Sequence, residues 1–140
     1  MPRFSELSKS RLATCDKRLQ DILNEAINSL DFTVIEGHRG QEAQNEAFAR
    51  GASKLRWPFG KHNQTPSRAV DIAPWYMDGT GIVWKDVPAF GRLMGYIQRV
   101  AEERGIRLRF GLDWDGDWHT AGMDSGETFL DAPHIELVDP

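Results

Sequence analysis

The sequence holds a single cysteine, Cys15, so no disulfide can form within the chain. It also lacks a charge excess of either sign. Lys and Arg number 17 against 21 Asp and Glu, a formal net charge of −4. No basic stripe marks a nucleic-acid partner, and none is expected. No apolar run approaches the roughly 20 residues that cross a bilayer, so stable membrane insertion is not expected either. The first ten residues, MPRFSELSKS, contain no apolar core of a secretory signal. These absences imply synthesis in a reducing cytoplasm. Cys15 falls on an amphipathic stretch and reads as a small core residue. Repeats, low-complexity tracts and linkers are missing as well.

What is present suits one domain with its own core: 140 residues, 40% apolar and 27% charged. Leu12, Cys15, Leu19, Ile22, Leu23, Ala26, Ile27 and Leu30 recur at helical spacing, which predicts one amphipathic helix over about 8–30. Phe32, Val34 and Ile35 form a short strand. Gly40 to Gly51 reads as a second helix, and 52–67 as loop, broken by Pro58, Gly60 and Pro66. Residues 68–74 are a strand. A turn at 78–81 lets Ile82, Val83 and Trp84 pair back as a hairpin. Pro88 opens a third helix to about Arg104, closed by Gly105. Ile106, Leu108 and Phe110 alternate as a strand, 112–130 is a polar loop, and His134 to Val138 is the last strand. Without a regular βαβ rhythm, the pattern predicts an α+β fold with a small antiparallel sheet and about three helices.

Asp71 lies inside the apolar run Ala69 to Ala73, and a buried carboxylate needs a partner. His62 precedes that strand and His134 opens the last one. If the two strands are neighbours, these residues converge as a three-ligand zinc site with one open position. Taken singly, each also fits a surface histidine or an aspartate satisfied by backbone N–H groups. Asp131 precedes His134 by three residues, stiffened by Pro133. It fits a general base that later protonates a leaving amine, or a turn aspartate. Glu136 shares His134's side of the strand, as a support for a ligand or as a solvent-facing residue. Arg39 fits an oxyanion stabiliser or a surface ion pair. His38 reads as surface, His119 has no assigned role, and Gln44 and Ser53 fit a cleft wall or simple capping.

Asp113, Asp115 and Asp117 resemble a calcium loop. Trp118 and Asp124 stand where an EF-hand needs Gly and Glu. A looser cation site, with a secondary calcium effect, remains as an expectation.

Four stretches, EGHRGQEAQNEAFARGASK, KHNQTPSRAVDIAP, RFGLDWDGDW and DAPHIEL, together resemble the zinc D-Ala-D-Ala carboxypeptidase and L-alanyl-D-glutamate peptidase superfamily. The likeness is strongest to its small phage endolysins and spans about residues 32–138. It implies the zinc D-Ala-D-Ala peptidase (hedgehog-like) fold. It implies metal ligation by His62, Asp71 and His134, Asp131 as catalytic base, and Arg39 as transition-state stabiliser. It further implies a monomeric enzyme that cuts peptidoglycan stem peptides, at L-alanyl-D-glutamate, after a separate protein permeabilises the host membrane. Residues 1–140 are then one catalytic domain with no separate wall-binding domain. A D,D-carboxypeptidase or dipeptidase of the same fold, and a non-catalytic zinc module, are the alternatives. Two features depart from the superfamily pattern. The His62 to Asp71 spacing is longer than in much of it, as in phage members, and KLRWPFG at 54–60 is bulkier than the usual link before the histidine.

Overall fold

The computed structural model of the protein describes residues 2–76, 78–123 and 129–138. The expected long N-terminal helix is two: α1 (Glu6–Leu12) and α2 (Lys17–Ala26). The break has a local cause. Cys15 forms an isolated parallel bridge with Ser67, the Asp16 N–H donates to the Ser67 carbonyl at 2.8 Å, and the Ser67 N–H donates to Thr14 at 2.9 Å. Asp16 then caps α2 by accepting from the Arg18 N–H. Helical periodicity runs through the break because both helices bury the same face. Cys15 is buried, as expected, and burial pushes its thiol up to about 11, which makes it unreactive.

β1 (Phe32–Glu36), α3 (Gln41–Ala49), β2 (Ala69–Pro74), α4 (Val87–Glu103), β3 (Leu108–Phe110) and β4 (His134–Leu137) follow. The four strands form one antiparallel sheet in the order β1-β2-β4-β3. The fold is α+β, with four α-helices among the described residues where about three were expected. Asp86 accepts from the Ala89 N–H to cap α4, and Pro88 occupies its first turn. Ile82, Val83 and Trp84 do not form the expected strand. Among the described residues of this stretch only Tyr76 and Gly81 bridge, and the Asp86 N–H closes a turn on Val83 that leads straight into α4. The expected loop 52–67 contains a short 3-10 turn, Lys61–Asn63.

One sheet face is apolar. Phe32, Val34, Val70, Ile72, Ile135 and Leu137 meet Leu19, Ile22 and Leu23 of α2 and Phe90, Leu93, Met94 and Ile97 of α4 in one buried cluster. Each such side chain stabilises the fold by roughly 1.5–3 kcal/mol. This rigid layer backs the opposite face, where the polar residues gather.

Candidate functional site

Alternation along β2 separates two roles. Val70 and Ile72 enter the core, and Asp71 between them points to the other face. On β4 the same alternation sends Ile135 and Leu137 to the core and His134 and Glu136 to Asp71's side. The register pairs Asp71 with His134 on one flank and with Glu36 on the other. A bulge between Val34 and Glu36 shifts β1 so that Glu36 lands in that row.

His62 arrives from the 3-10 turn. The Arg39 N–H donates to the His62 carbonyl at 2.8 Å, and the Asn63 amide donates to the Arg39 carbonyl at 3.0 Å. The turn is thereby tied to the segment after β1. His62 Nδ1 lies 2.7 Å from the Gly37 carbonyl, which assigns the hydrogen to Nδ1 and leaves Nε2 facing Asp71 Oδ1 at 3.2 Å. Gly37 has no room for a side chain: a Cβ there would lie 2.3 Å from Thr14 Oγ1 and 2.5 Å from the Arg11 carbonyl oxygen.

His134 repeats the arrangement with the nitrogens exchanged. Its Nε2 is held by Glu136 Oε1 at 2.9 Å, and its Nδ1 faces Asp71 Oδ1 at 3.3 Å and Asp131 Oδ2 at 3.9 Å. Glu136 is in turn held by Lys61 at 3.3 Å and Arg109 at 3.4 Å. It is buried rather than solvent-facing, and it braces the imidazole. One ligand atom each from His62, Asp71 and His134 lie within 4.8 Å of one another, a group that can hold a metal ion. Two imidazole nitrogens aimed at one carboxylate oxygen require positive charge between them, as protons or as a cation. Titration follows the same logic. Burial pushes the Asp71 carboxyl up, but the His62 charge and hydrogen bonds from both histidines outweigh it and hold it well below the usual range. Burial lowers His134, and its bonds to Asp71 and Glu136 more than offset this, raising it to about 9.

Asp131 stands beside this group. Burial, reinforced by the Asp71 charge, pushes its carboxyl up to about 6. Gly111 fixes its place: the Asp131 N–H donates to the Gly111 carbonyl at 2.9 Å, and the Gly111 N–H donates to the His134 carbonyl at 2.9 Å. A Cβ on Gly111 would lie 2.2 Å from the Asp131 carbonyl oxygen. Arg39 is clamped rather than free. Its Nε and Nη2 donate to Glu36 Oε1 at 2.8 and 2.6 Å, and Nη1 donates to Gln44 Oε1 at 3.0 Å. Of five N–H groups, two stay available. Nη2 lies 3.5 Å from Asp71 Oδ2. Arg39 therefore borders the group with its plane set by Glu36 and Gln44.

These residues floor a cleft of about 760 Å³. Trp114 and Phe129 stack at 6.1 Å along one wall, with Trp114 5.2 Å from the His134 ring. Ser53, Lys54, Leu55 and Phe59 form another part of the lining, which puts the bulky 54–60 segment at the cleft. Gln44 is buried with its amide fully used: it accepts from Arg39 and Asn63 and donates to Ser53 and Leu55. His38 is exposed, as expected, and so is His119. Asp113, Asp115 and Asp117 also group within 4.8 Å; none of the three lines the cleft, although Trp114 between them does. Several of their oxygens accept backbone N–H groups of residues 117–119. Asp124 lies outside the described residues. Glu36 and Lys61 were not singled out in the sequence. The only signal was charge near Arg39 and His62, which surface pairs share.

No helix among the described residues is long and apolar enough to cross a membrane. An α+β domain whose sheet and 3-10 turn together present two imidazoles and a carboxylate to a cleft, with a second carboxylate alongside, defines the class: a small peptidase with a site able to hold a metal. The chain belongs to the phage L-alanyl-D-glutamate peptidase family, whose model matches residues 1–138. It is 36% identical to the L-alanyl-D-glutamate peptidase of Escherichia phage T5, over 97% of this chain and 98% of that protein. The fold is similar to that of the Serratia marcescens L-Ala D-Glu endopeptidase ChiX, with a TM-score of 0.73. That match has 23% identity and covers 97% of this chain and 90% of the other.

Proposed function

We propose that the protein is a zinc-dependent endolysin that hydrolyses the L-alanyl-D-glutamate bond of peptidoglycan stem peptides and so lyses bacterial cells. The observation that carries this is the convergence of His62, Asp71 and His134 beside Asp131. The donors suit zinc: two neutral imidazoles and a carboxylate, three protein ligands in all, each ring oriented by a hydrogen bond on its far nitrogen. Bound there, zinc would polarise the scissile carbonyl and make an attacking water more acidic.

The chain supplies the remaining chemistry. Asp131, with its carboxyl raised to about 6, is ionised near neutral pH yet basic enough to take a proton from the attacking water. It then delivers that proton to the leaving amine nitrogen. Arg39 keeps an Nη1 N–H for the oxyanion that develops on the carbonyl, its Nη2 sits beside Asp71, and Glu36 and Gln44 prevent it from swinging away. The proposal takes residues 1–140 as one monomeric catalytic domain. The protein would be made in the host cytoplasm and reach the wall after the membrane is permeabilised. A secondary calcium effect is assigned to Asp113, Asp115 and Asp117, whose oxygen donors suit a hard cation.

Digestion of purified peptidoglycan followed by mass spectrometry tests the activity. New N-terminal D-glutamate supports the proposal. Released D-alanine would replace it with a D,D-carboxypeptidase, and no cleavage at all with a non-catalytic zinc module.

A further inference from the structure

Most cations that line the cleft are already matched. Arg39 is bound to Glu36, and Lys61 and Arg109 share Glu136. Lys54 is different. Among the described residues it has no carboxylate partner, and its ammonium rests 4.9 Å from the centre of the Phe129 ring. Phe129 stacks on Trp114, and Trp114 meets His134, so an unbroken aromatic wall runs from the candidate metal site to this charge.

The backbone carrying Lys54 is anchored on both sides. The buried Gln44 amide donates to Ser53 Oγ at 2.9 Å and to the Leu55 carbonyl at 2.6 Å. The same amide's oxygen accepts from Arg39 at 3.0 Å. One buried side chain therefore sets the positions of both Arg39 and the Lys54 segment. An ammonium over an aromatic face keeps its N–H groups free for an anion on the open side.

Chemistry names the anion, given the peptidase activity proposed above. Glutamate has two carboxyl groups. Whichever of them continues the stem peptide, the other stays a free carboxylate on the residue that carries the leaving nitrogen. We propose that Lys54 binds this free carboxylate and is a specificity-determining residue for the glutamate side of the scissile bond. One to three carbons separate this carboxylate from the leaving nitrogen, so the ion pair would close near the scissile bond, in the cleft that Lys54 shares with Asp131 and His134.

The test uses two synthetic stem peptides that differ only at this group, a free carboxylate in one and a carboxamide in the other. The wild-type protein is expected to favour the acid in kcat/KM by up to about fivefold, as an ion pair to the exposed Lys54 allows. Lys54→Met is expected to reduce that preference to about twofold or less, mainly through KM, and Lys54→Arg to restore most of it. Thermal melts and metal content accompany each variant, so a folding defect is seen directly. A Lys54→Met protein that melts normally and keeps the wild-type preference overturns the assignment, as does a wild-type protein indifferent to the carboxamide. If the wild-type protein cuts neither peptide between alanine and glutamate, the peptidase reading itself fails, and this assignment falls with it.

Discussion

Asp71 and His134 are direct cross-strand partners, with Asp71 Oδ1 3.3 Å from His134 Nδ1, and the same oxygen lies 3.2 Å from His62 Nε2. The far nitrogens of both rings are already engaged, by Gly37 and by Glu136. Three donor atoms thus converge, two from the sheet and one from the 3-10 turn, in a group that can hold a metal ion.

Metal content checks this directly. The purified protein is expected to hold about one zinc per chain, and His62→Ala, Asp71→Ala and His134→Ala each to lose it. Chelation should abolish wall lysis and added zinc should restore it. Full activity in a protein shown to be metal-free would refute the zinc assignment.

The stripped protein has its own pH signature. His134 is raised from 6.5 to about 9 in the folded chain, so its contribution to stability is complete below pH 6.5 and is lost as pH rises towards 9. Asp71 is depressed from 3.8, so its contribution is present above that value and fades as pH falls below it. The melting temperature of metal-free protein should therefore decline between pH 6.5 and 9. Over the same window protons compete less for His134, and the stabilisation conferred by zinc should grow. A flat melting temperature across that range would contradict the pairing of His134 with two carboxylates.

Asp131→Asn separates chemistry from metal binding. Zinc content should stay at the wild-type level while kcat falls by about 10²–10⁴, the usual worth of a general base. The wild-type acid limb of kcat/KM should lie at or below about pH 6, because the carboxyl is raised to that value and a nearby cation can only lower it. Wild-type turnover in the variant would remove Asp131 from the mechanism.

Gly111→Ala probes the same base from behind. The new Cβ would lie 2.2 Å from the Asp131 carbonyl oxygen, so the 131 segment must shift. Displacing a catalytic group by about 1 Å costs roughly 10²-fold in rate, and a loss of that order in kcat with zinc retained is expected. Metal analysis and single-turnover kinetics decide it: unchanged kcat would show that the segment relaxes without moving the carboxylate.

Much of the fold was legible in the sequence. The strand at Asp71, the strand at His134, and the helices at 41–49 and 87–103 follow from periodicity and breakers. What the pattern cannot carry is register. That Asp71 pairs with His134, and Glu36 with Asp71, depends on long-range pairing and on a bulge without a sequence mark. The break at Cys15 was hidden for a similar reason, since its partner Ser67 is distant in the chain. Glu36, Lys61 and the bracing role of Glu136 became visible only with the distances, because a buried network of carboxylates and cations looks, in one dimension, like ordinary surface charge.

The contact that orients His62 comes from the main chain at Gly37. Every amino acid has a carbonyl, so no substitution at position 37 deletes that acceptor. The constraint at this position is one of bulk. Any side chain would strike Thr14 and the Arg11 carbonyl, and would push the acceptor away from the ring it holds. The imidazole's tautomer thus depends on the close approach of Thr14 and Arg11, near the end of the first helix, to a residue without a side chain. A survey of variants that looked only for lost side-chain contacts would overlook it.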